Sequence, residues 1–179
     1  MIYIIDVETT GVTAKDQVIE LAWIKLNNDI STLEPLESFQ QYFNPSVPIH
    51  PRASEVHGLT KNKLIHFPRA GTIKLPEDIQ IGIFHNAVFD MRMLTYPTIK
   101  VICTLKLVKK IEKVQKIKIG EDHKLRTLFT LFYPDISSDF MTIHHGAEAD
   151  CKMTLGVLIA LLKFLPLVET LEDLERFLK

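Results

Sequence analysis

Two carboxylates end the first apolar segment of the chain, IIDVETTG, residues 4–11. Asp6 and Glu8 are separated by one residue, and alternate residues of a strand point to the same face of a sheet, so their side chains project together. Adjacent like charges repel each other, and a divalent cation with hard oxygen ligands, such as Mg²⁺ or Mn²⁺, removes that conflict. The pair therefore indicates a metal site at the edge of a sheet. Asp173 and Glu175 show the same D-x-E spacing, and there we interpret it as the exposed face of a helix.

Two later motifs carry further residues that could take part in chemistry. HNAVFD places Asp90 one helical turn after Asn86, where the fourth predicted strand ends. Ligand sites of open α/β sheets gather outside such strand ends, whereas we interpret Phe89 in the same motif as a core residue. HHGAEAD supplies Asp150 early in a long predicted helix, with His145 five residues earlier in the preceding loop. Taken alone, that histidine is equally compatible with an ordinary surface position.

Together these residues favour metal-dependent phosphodiester hydrolysis. Two cations held by shared carboxylates can clamp both the attacking and the leaving oxygen of a phosphodiester. An imidazole, with an unperturbed pKa of about 6.5, can take a proton from water at neutral pH. No Ser-His-Asp order, Walker loop or Cys/His zinc spacing competes with this interpretation. The predicted catalytic residues are Asp6, Glu8, Asp90, His145 and Asp150, and the four carboxylates are the predicted ligands of two Mg²⁺ or Mn²⁺ ions.

The elements that must position these residues follow from hydrophobic periodicity and turn signals. Three strands come first and later strands alternate with helices, which predicts a single α/β domain with a mixed sheet flanked by helices. Strands are predicted at residues 2–7, 18–26, 39–43, 79–83 and 100–103. Helices are predicted at residues 53–58, 60–66 and 87–94, from residue 104, and at 125–132, 146–164 and 171–178.

The three motifs, in this order, resemble those of a known family. IIDVETTG, HNAVFD and HHGAEAD are similar to the three exonuclease motifs of the DEDDh-type, DnaQ-like 3′→5′ exonucleases. Between them, PRASEVHGLT resembles the histidine-bearing loop of that family. VICTLKLVKK, followed by HH and ADC, most resembles its exodeoxyribonuclease X branch. The resemblance covers residues 1–163, while residues 61–78 match no pattern of the family.

The resemblance implies a ribonuclease H-like fold, with a five-stranded mixed sheet whose second strand is antiparallel. It implies one metal held directly by Asp6, Glu8 and Asp150, with Asp6 bridging to a second metal and Asp90 acting partly through water. His145 would be the general base. The 3′→5′ direction of hydrolysis, which releases nucleoside monophosphates, is implied by the resemblance alone. The residues that it places around the terminal nucleotide are Thr9, Thr10, Gly11, His57 and Asn86.

The sequence offers two H-x4-D patterns for the base, one from His85 to Asp90 and one from His145 to Asp150. His85 directly follows an apolar run, so we expect its ring to be held by neighbours at a strand end. His145 precedes a helix in a loop, which provides the solvent-reachable position that a general base needs. His144 shares that loop but is one residue too far from Asp150. We therefore predict His145 as the base.

We expect residues 1–165 to form the exonuclease domain and residues 166–179 to form a C-terminal helix packed on it, without an appended nucleic-acid-binding domain. Residues 100–118 would then be the main electrostatic contact to a polyanion. They begin a stretch, residues 100–126, that carries nine Lys or Arg against three acidic residues, although the net charge of the chain is −1. Such a block is also typical of a solvated helix face, so both interpretations stay open.

The expected partner is a nucleic acid with a free 3′ end, with single-stranded or frayed DNA as the first choice. An exoribonuclease of the same superfamily is an alternative, since the 2′-hydroxyl distinguishes the substrates and no residue reads it unambiguously. A proofreading subunit is another, and would require a polymerase or repair partner, docked through residues 167–179. A catalytically inactive binding module is disfavoured by the complete catalytic set.

The sequence predicts a cytoplasmic location without a membrane partner. The N-terminus lacks the basic region of a signal peptide, and the apolar run at residues 155–162 is too short to span a bilayer. Cys103 and Cys151 form neither a disulfide framework nor a metal spacing, which is typical of a reducing compartment.

Overall fold

The computed structural model of the chain describes residues 1–94, 99–136 and 145–179. Its strands are β1 (Ile2–Thr9), β2 (Val18–Leu26), β3 (Pro35–Tyr42), β4 (Ile81–Phe84) and β5 (Lys100–Cys103). They form one five-stranded sheet in the order β3-β2-β1-β4-β5. β2 runs antiparallel to β1 and β3, whereas β4 lies parallel to β1 and β5 parallel to β4. The mixed sheet with an antiparallel second strand is therefore confirmed.

Helices flank this sheet, and their apolar residues recur at helical spacing. Leu125, Leu128 and Phe129, for example, are all buried on one short helix. Residues three and four positions apart share one side of a helix, which gives this segment an apolar stripe to bury. Within the described residues, no helix has the length and apolar character needed to cross a membrane. In those residues the α-helices are α1 (Pro51–His57), α2 (Lys61–Leu64), α3 (Ala87–Leu94), α4 (Thr104–Gln115), α5 (Leu125–Phe132), α6 (Ala147–Leu162) and α7 (Leu171–Leu178).

β1 is the central strand, and both of its faces are covered. Its residues Ile2 and Ile4 lie in the larger core, with apolar side chains of α4, α5 and α6. The alternate residues Tyr3, Ile5 and Val7 belong to a second core on the opposite face. Because side chains alternate along a strand, Asp6 and Glu8 continue the face of Ile2 and Ile4. The alternation therefore directs both carboxylates toward the layer of α6.

Three strands, β1, β3 and β4, differ in their bounds from the prediction. β1 continues to Thr9, because Glu8 still pairs with Glu20 of β2 before the register of the ladder shifts. Ile79 precedes β4 and Phe43 follows β3, although both side chains are buried. Hydrophobic periodicity indicates which residues are buried, but a buried residue just outside a strand gives the same pattern as one within it. The strand ends therefore cannot be located from this pattern alone.

The second D-x-E pattern is not simply an exposed helix face, so that interpretation was wrong. Asp173 and Thr170 form a capping box at the start of α7, in which each side chain accepts a hydrogen bond from the other's backbone N–H at 3.1 Å. Glu175 pairs with Lys100 at 3.0 Å, and only 20% of its side chain is exposed. Between them, Leu174 is fully buried in the larger core. These carboxylates thus cap and anchor α7.

Candidate active site

Carboxylates from three separate parts of the chain line one cleft with a volume of about 550 Å³. Asp6 and Glu8 lie near the end of β1, Asp90 lies in the first turn of α3 just after β4, and Asp150 lies in the first turn of α6. Because β1 and β4 are parallel, their carboxyl ends meet at the same edge of the sheet. The fifth predicted catalytic residue, His145, lines the same cleft.

Burial and mutual repulsion raise the pKa values of Asp6, Glu8 and Asp90. Burial, followed by the charges of Asp90 and Asp150, holds the pKa of Asp6 well above its usual range. Burial, followed by the charge of Asp150, raises the pKa of Glu8 to about 8. Burial is also the main reason that the pKa of Asp90 rises to about 7. A cluster of this kind favours bound protons or bound cations at neutral pH.

One buried oxygen of the cluster has no hydrogen-bond partner among the described residues. Asp150 Oδ1 is buried and takes part in no hydrogen bond with the described residues. Leaving a buried carboxylate oxygen unpaired is costly, and a bound cation is one way to compensate it. Glu8, His145 and Asp150 each offer a ligand atom, and these atoms lie within 4.8 Å of one another. A donor set rich in carboxylate oxygens fits hard divalent cations such as Mg²⁺ or Mn²⁺.

His145 stands beside this carboxylate cluster. Its Nδ1 lies 3.0 Å from Asp150 Oδ2, and 38% of its side chain is exposed. Its backbone N–H donates to the carbonyl of Val56 in α1 at 3.0 Å, which fixes the chain just before α6. The imidazole is therefore both oriented and open to solvent. His144, the rejected neighbour, lies outside the described residues.

His85 also lines the cleft, but both of its ring nitrogens are engaged. Nδ1 lies 2.8 Å from Thr104 Oγ1, and Nε2 lies 2.9 Å from the carbonyl of His123. Burial lowers the pKa of this imidazole. The ring is thus held by neighbours, as its place at a strand end indicated, and is poorly placed to accept a further proton.

Of the residues predicted to contact a terminal nucleotide, Asn86 lines the cleft, whereas His57 is buried beside the end of β1. Asn86 is exposed and lines the cleft. His57 is buried, and its Nδ1 accepts a hydrogen bond from Leu59 N at 3.0 Å. Its Nε2 lies 3.2 Å from the carbonyl of Thr9, to which it donates in that tautomer. His57 therefore supports the end of β1 from behind, whereas Asn86 faces the cleft directly.

The loop after β1 closes around Asp16. Thr10 Oγ1 donates to Asp16 Oδ1 at 2.8 Å, and Thr9 Oγ1 donates to the carbonyl of Gly11 at 2.6 Å. A Cβ atom on Gly11 would lie 2.7 Å from Asp16 Oδ1, so glycine is required for this close approach. Both threonine hydroxyls are thus used within the loop.

Basic residues line the same cleft as the carboxylates. Lys109 belongs to α4, and His123 and Lys124 lie just before α5. His123 Nε2 lies 3.0 Å from Glu112 Oε2, which orients its ring. The two lysines fall in the positive stretch noted in the sequence, but no motif or spacing marked His123. The cleft therefore combines a carboxylate cluster with cationic groups that suit a polyanion.

Near the cluster, one side chain, Phe89, differs from the sequence interpretation, and another, Glu20, was not identified from the sequence. Phe89 is not simply core: it packs against the second core and also lines the cleft, with the Arg92 guanidinium 5.6 Å from its ring centroid. Glu20, directly opposite Glu8 on β2, is a fifth carboxylate and is 1% exposed. Its signal in the sequence was a single charge inside the otherwise apolar VIELAWI.

A mixed sheet with carboxylates clustered at the end of its central strand is the arrangement of the ribonuclease H-like fold, and solved structures agree with this fold. Exonuclease X in complex with 5′-overhanging duplex DNA matches with a TM-score of 0.73 and 22% identity, over 100% of both chains. The zinc-bound Escherichia coli exonuclease I complex with single-stranded DNA matches with a TM-score of 0.68 and 16% identity, over 93% of this chain and 41% of the other.

The family model of the RNase_T exonucleases matches residues 3–158, and the chain belongs to this exonuclease family. The resemblance to DnaQ-like exonucleases is thereby confirmed. Exodeoxyribonuclease 10 of Escherichia coli (strain K12) is 27% identical over 89% of this chain and 67% of its own length. DNA polymerase III PolC-type of Bacillus subtilis (strain 168) is 29% identical over 89% of this chain but only 11% of its own length. The chain thus spans about a tenth of the polymerase that it matches.

Proposed function

We propose that the protein is a divalent-metal-dependent 3′→5′ exodeoxyribonuclease, which releases nucleoside monophosphates from single-stranded or frayed DNA ends. One observation carries this proposal: four carboxylates share a cleft with a half-exposed histidine, and one buried carboxylate oxygen has no partner among the described residues. Carboxylates with a purely structural role would be paired with cationic side chains or hydrogen-bond donors. The cluster instead supports a role in binding cations for hydrolysis.

Each carboxylate has a proposed task. Asp6, Glu8 and Asp150 would hold one cation, and Asp6 and Asp90 would hold a second. When bound, the two Mg²⁺ or Mn²⁺ ions supply Lewis-acid charge to the attacked phosphodiester and to its leaving oxygen. The pKa values raised in Asp6, Glu8 and Asp90 mean that cations must displace protons from the cluster to bind at neutral pH.

His145 is the proposed general base. Because Nδ1 faces Asp150 Oδ2 at 3.0 Å, Nε2 is the ring nitrogen that can take the proton of the attacking water. The exposed part of the side chain gives that proton a route to solvent. Asp150 then has two functions, since it binds a cation and orients the imidazole that acts beside it.

The substrate is proposed from the lining of the cleft. Lys109 and Lys124 favour an anionic strand, and the half-buried ring of Phe89 offers a face on which a terminal base can stack. Asn86 is exposed in the same cleft and lies three residues before Phe89 in the chain. The preference for DNA is supported by the similarity to exodeoxyribonuclease 10, and the 3′→5′ direction by the family resemblance of the three motifs.

A panel of 5′-labelled strands tests the proposal. Single-stranded DNA, duplex DNA and RNA of the same sequence are incubated with Mg²⁺, Mn²⁺ or EDTA. We expect a descending ladder on single-stranded DNA in either metal, slower shortening of the duplex, and no shortening in EDTA. A ladder on RNA alone would instead make the protein an exoribonuclease. Immediate release of the labelled terminal nucleotide would reverse the proposed direction.

Proofreading beside a polymerase is a second candidate, favoured by the 29% identity to the PolC-type polymerase. A proofreading subunit removes mismatched 3′ termini in preference to paired ones, and it binds a polymerase. Matched and 3′-mismatched primer–templates of equal length distinguish the candidates. Equal rates after correction for fraying of the end would favour a free exonuclease.

We also infer the cellular location of the protein and the division of the chain into a domain and a C-terminal segment. Cys103 and Cys151 are buried free thiols, which supports the proposed reducing cytoplasmic location. Leu174 joins the larger core, which supports the division into residues 1–165 and a C-terminal helical segment, residues 166–179, packed on the same domain.

A further inference from the structure

Glu20 is a buried carboxylate that none of the proposed catalytic steps uses. Its side chain lies on β2, and its Oε1 accepts a hydrogen bond from Gln40 Nε2 at 2.7 Å. The hydroxyl of Tyr42 and the backbone N–H of Ala147 also face this carboxylate, and a Cβ atom on Gly146, just before Ala147, would lie 4.0 Å from Glu20 Oε1. Its neighbours on the strand, Ile19 and Leu21, are apolar and fully buried. Burying a charge among such residues is costly, so a residue needed only for packing here would be apolar too.

The contact to Ala147 lies at the start of α6, where the helix lacks a side-chain cap. Gly146 occupies the N-cap position and has no side chain to accept a hydrogen bond from the first turn. The first N–H groups of a helix need acceptors from outside it, and a carboxylate there is also favoured by the helix dipole. Glu20 places a carboxylate beside these N–H groups from a different strand, so it also links α6 to the sheet.

The same short segment carries two members of the proposed site. Asp150 is one turn into α6, and its N–H donates to the carbonyl of Gly146 at 2.9 Å. His145 precedes Gly146, and its N–H is held by Val56 of α1. Residues 145–147 are thus fastened at two points, to α1 and to β2, directly beside the carboxylates of β1.

We propose that Glu20 is a positioning residue, which fastens the first turn of α6 to β2 and so sets Asp150 and His145 against the carboxylates of β1. β1 and β2 are neighbours in the sheet, and Glu20 pairs directly with Glu8. This link therefore helps to set the distance between the metal-binding groups of β1 and those of α6. The inference rests on the proposed function, because the groups that it positions are the proposed metal ligands and base.

Substitutions at Glu20 separate positioning from packing. Glu20→Gln keeps the side-chain shape and one oxygen that can accept from Ala147, whereas Glu20→Met keeps the length but removes the acceptor. We expect Glu20→Gln to stay within about threefold of the wild-type kcat. Glu20→Met should lose roughly 10–100-fold in kcat and in Mn²⁺ affinity measured by calorimetry, with little change in KM for DNA. Glu37→Met, on an exposed glutamate of β3, is the matched control and should change neither quantity.

A second substitution distinguishes positioning from simple helix capping. Gly146 has extended backbone angles, φ −146° and ψ 134°, and a Cβ there would lie 4.0 Å from the nearest atom, Glu20 Oε1, so serine fits as a local N-cap. The double variant Glu20→Met/Gly146→Ser should regain thermal stability but not kcat or Mn²⁺ affinity, because the link to β2 is still missing. Recovery of both quantities would overturn the proposal and reduce Glu20 to a cap.

If Glu20→Met does not fold, a third substitution, Glu20→Asp, still tests the positioning role. Glu20→Asp keeps the charge but withdraws the carboxylate by one methylene, and it should show the same direction of loss in kcat and Mn²⁺ affinity. Wild-type values in either Glu20→Asp or a folded Glu20→Met would overturn the inference. If the wild-type protein itself neither binds Mn²⁺ nor shortens DNA, the proposed function has failed. If it does both while the Glu20 variants are unaffected, only the positioning role has failed.

Discussion

Nδ1 of His145 and Oδ2 of Asp150 lie 3.0 Å apart, although one residue precedes α6 and the other lies within its first turn. The contact joins a partly exposed imidazole to a buried carboxylate of the cluster. It also leaves Asp150 Oδ1 without a partner among the described residues. One residue pair thus connects the proposed proton acceptor with the proposed cation site.

Replacing His145 by alanine should lower kcat by on the order of 10²–10⁴, the usual value of general-base catalysis. Mn²⁺ binding should remain, because the four carboxylates stay in place. Single-turnover cleavage of a 5′-labelled single strand, together with calorimetry, measures the two effects separately. His66→Ala is the control, since this histidine is exposed and lies outside the cleft.

His85→Ala should behave differently from His145→Ala. Both ring nitrogens of His85 bond to neighbours, so its loss should chiefly lower thermal stability or disturb substrate placement. Full loss of kcat in a folded His85→Ala, combined with an active His145→Ala, would show that the wrong histidine has been assigned as the base.

The metal-free protein should lose stability as the pH rises from about 6 to 8. Glu8 has a folded-state pKa of about 8, compared with 4.5 for the ordinary side chain, so the folded protein holds a proton that the unfolded chain releases. This contribution is fully present below pH 4.5 and is lost as the pH rises through about 8. In EDTA, the free energy of unfolding by urea should fall by roughly 2 kcal/mol over that range.

Glu8→Gln should flatten this pH dependence, while Glu37→Gln, on an exposed residue of β3, should leave it unchanged. Saturating Mg²⁺ should stabilise the wild-type protein more at pH 8 than at pH 6, because cations bind the deprotonated cluster. An equal loss of stability with pH in Glu8→Gln and wild type would contradict the protonation of Glu8 in the folded state.

Charge reversal on α4 tests the route of the strand. Lys109 lines the cleft, and Lys113 is exposed one turn further along the helix. Lys109→Glu/Lys113→Glu should raise KM for long oligonucleotides and affect a dinucleotide much less. Each lost phosphate contact should flatten the log–log salt dependence of binding by roughly 0.7. Lys106→Glu, on the same helix but outside the cleft, is the control. An unchanged slope of the salt dependence in the double variant would mean that Lys109 and Lys113 belong to a solvated face.

Gly11→Ala should destabilise the loop after β1 by about 1–3 kcal/mol, because the new Cβ meets the Asp16 carboxylate. That carboxylate is fixed by hydrogen bonds from Thr10 and Thr13 and has little freedom to move away. Gly71→Ala is a matched control, since a Cβ there has nothing within 4 Å. Urea unfolding measures both variants, and equal midpoints would contradict the steric requirement at Gly11.

Local patterns in the sequence were sufficient for part of the site. Asp6 and Glu8 could be predicted because a period of two along one strand determines their common face. Glu20 could not be predicted, since its role depends on the register between β1 and β2. His123 could not be predicted either, since its position depends on how the segment before α5 packs on α4. Phe89 was misread for a related reason: periodicity predicts that a side chain is partly buried, but not that its other face lines a cleft.

The rate at which Asp6→Asn shortens a 5′-labelled single strand of DNA in Mg²⁺ tests the central claim most directly. The substitution removes one charge from the cluster while it keeps the side-chain size, so the variant should fold and show no detectable hydrolysis. Asp173→Asn, from the other D-x-E pattern, affects the cap of α7 and an ion pair with Arg176 outside the cleft, and should keep the wild-type rate. A wild-type rate in folded Asp6→Asn, or an equal loss in both variants, would contradict the assignment of this cleft as a metal-dependent active site.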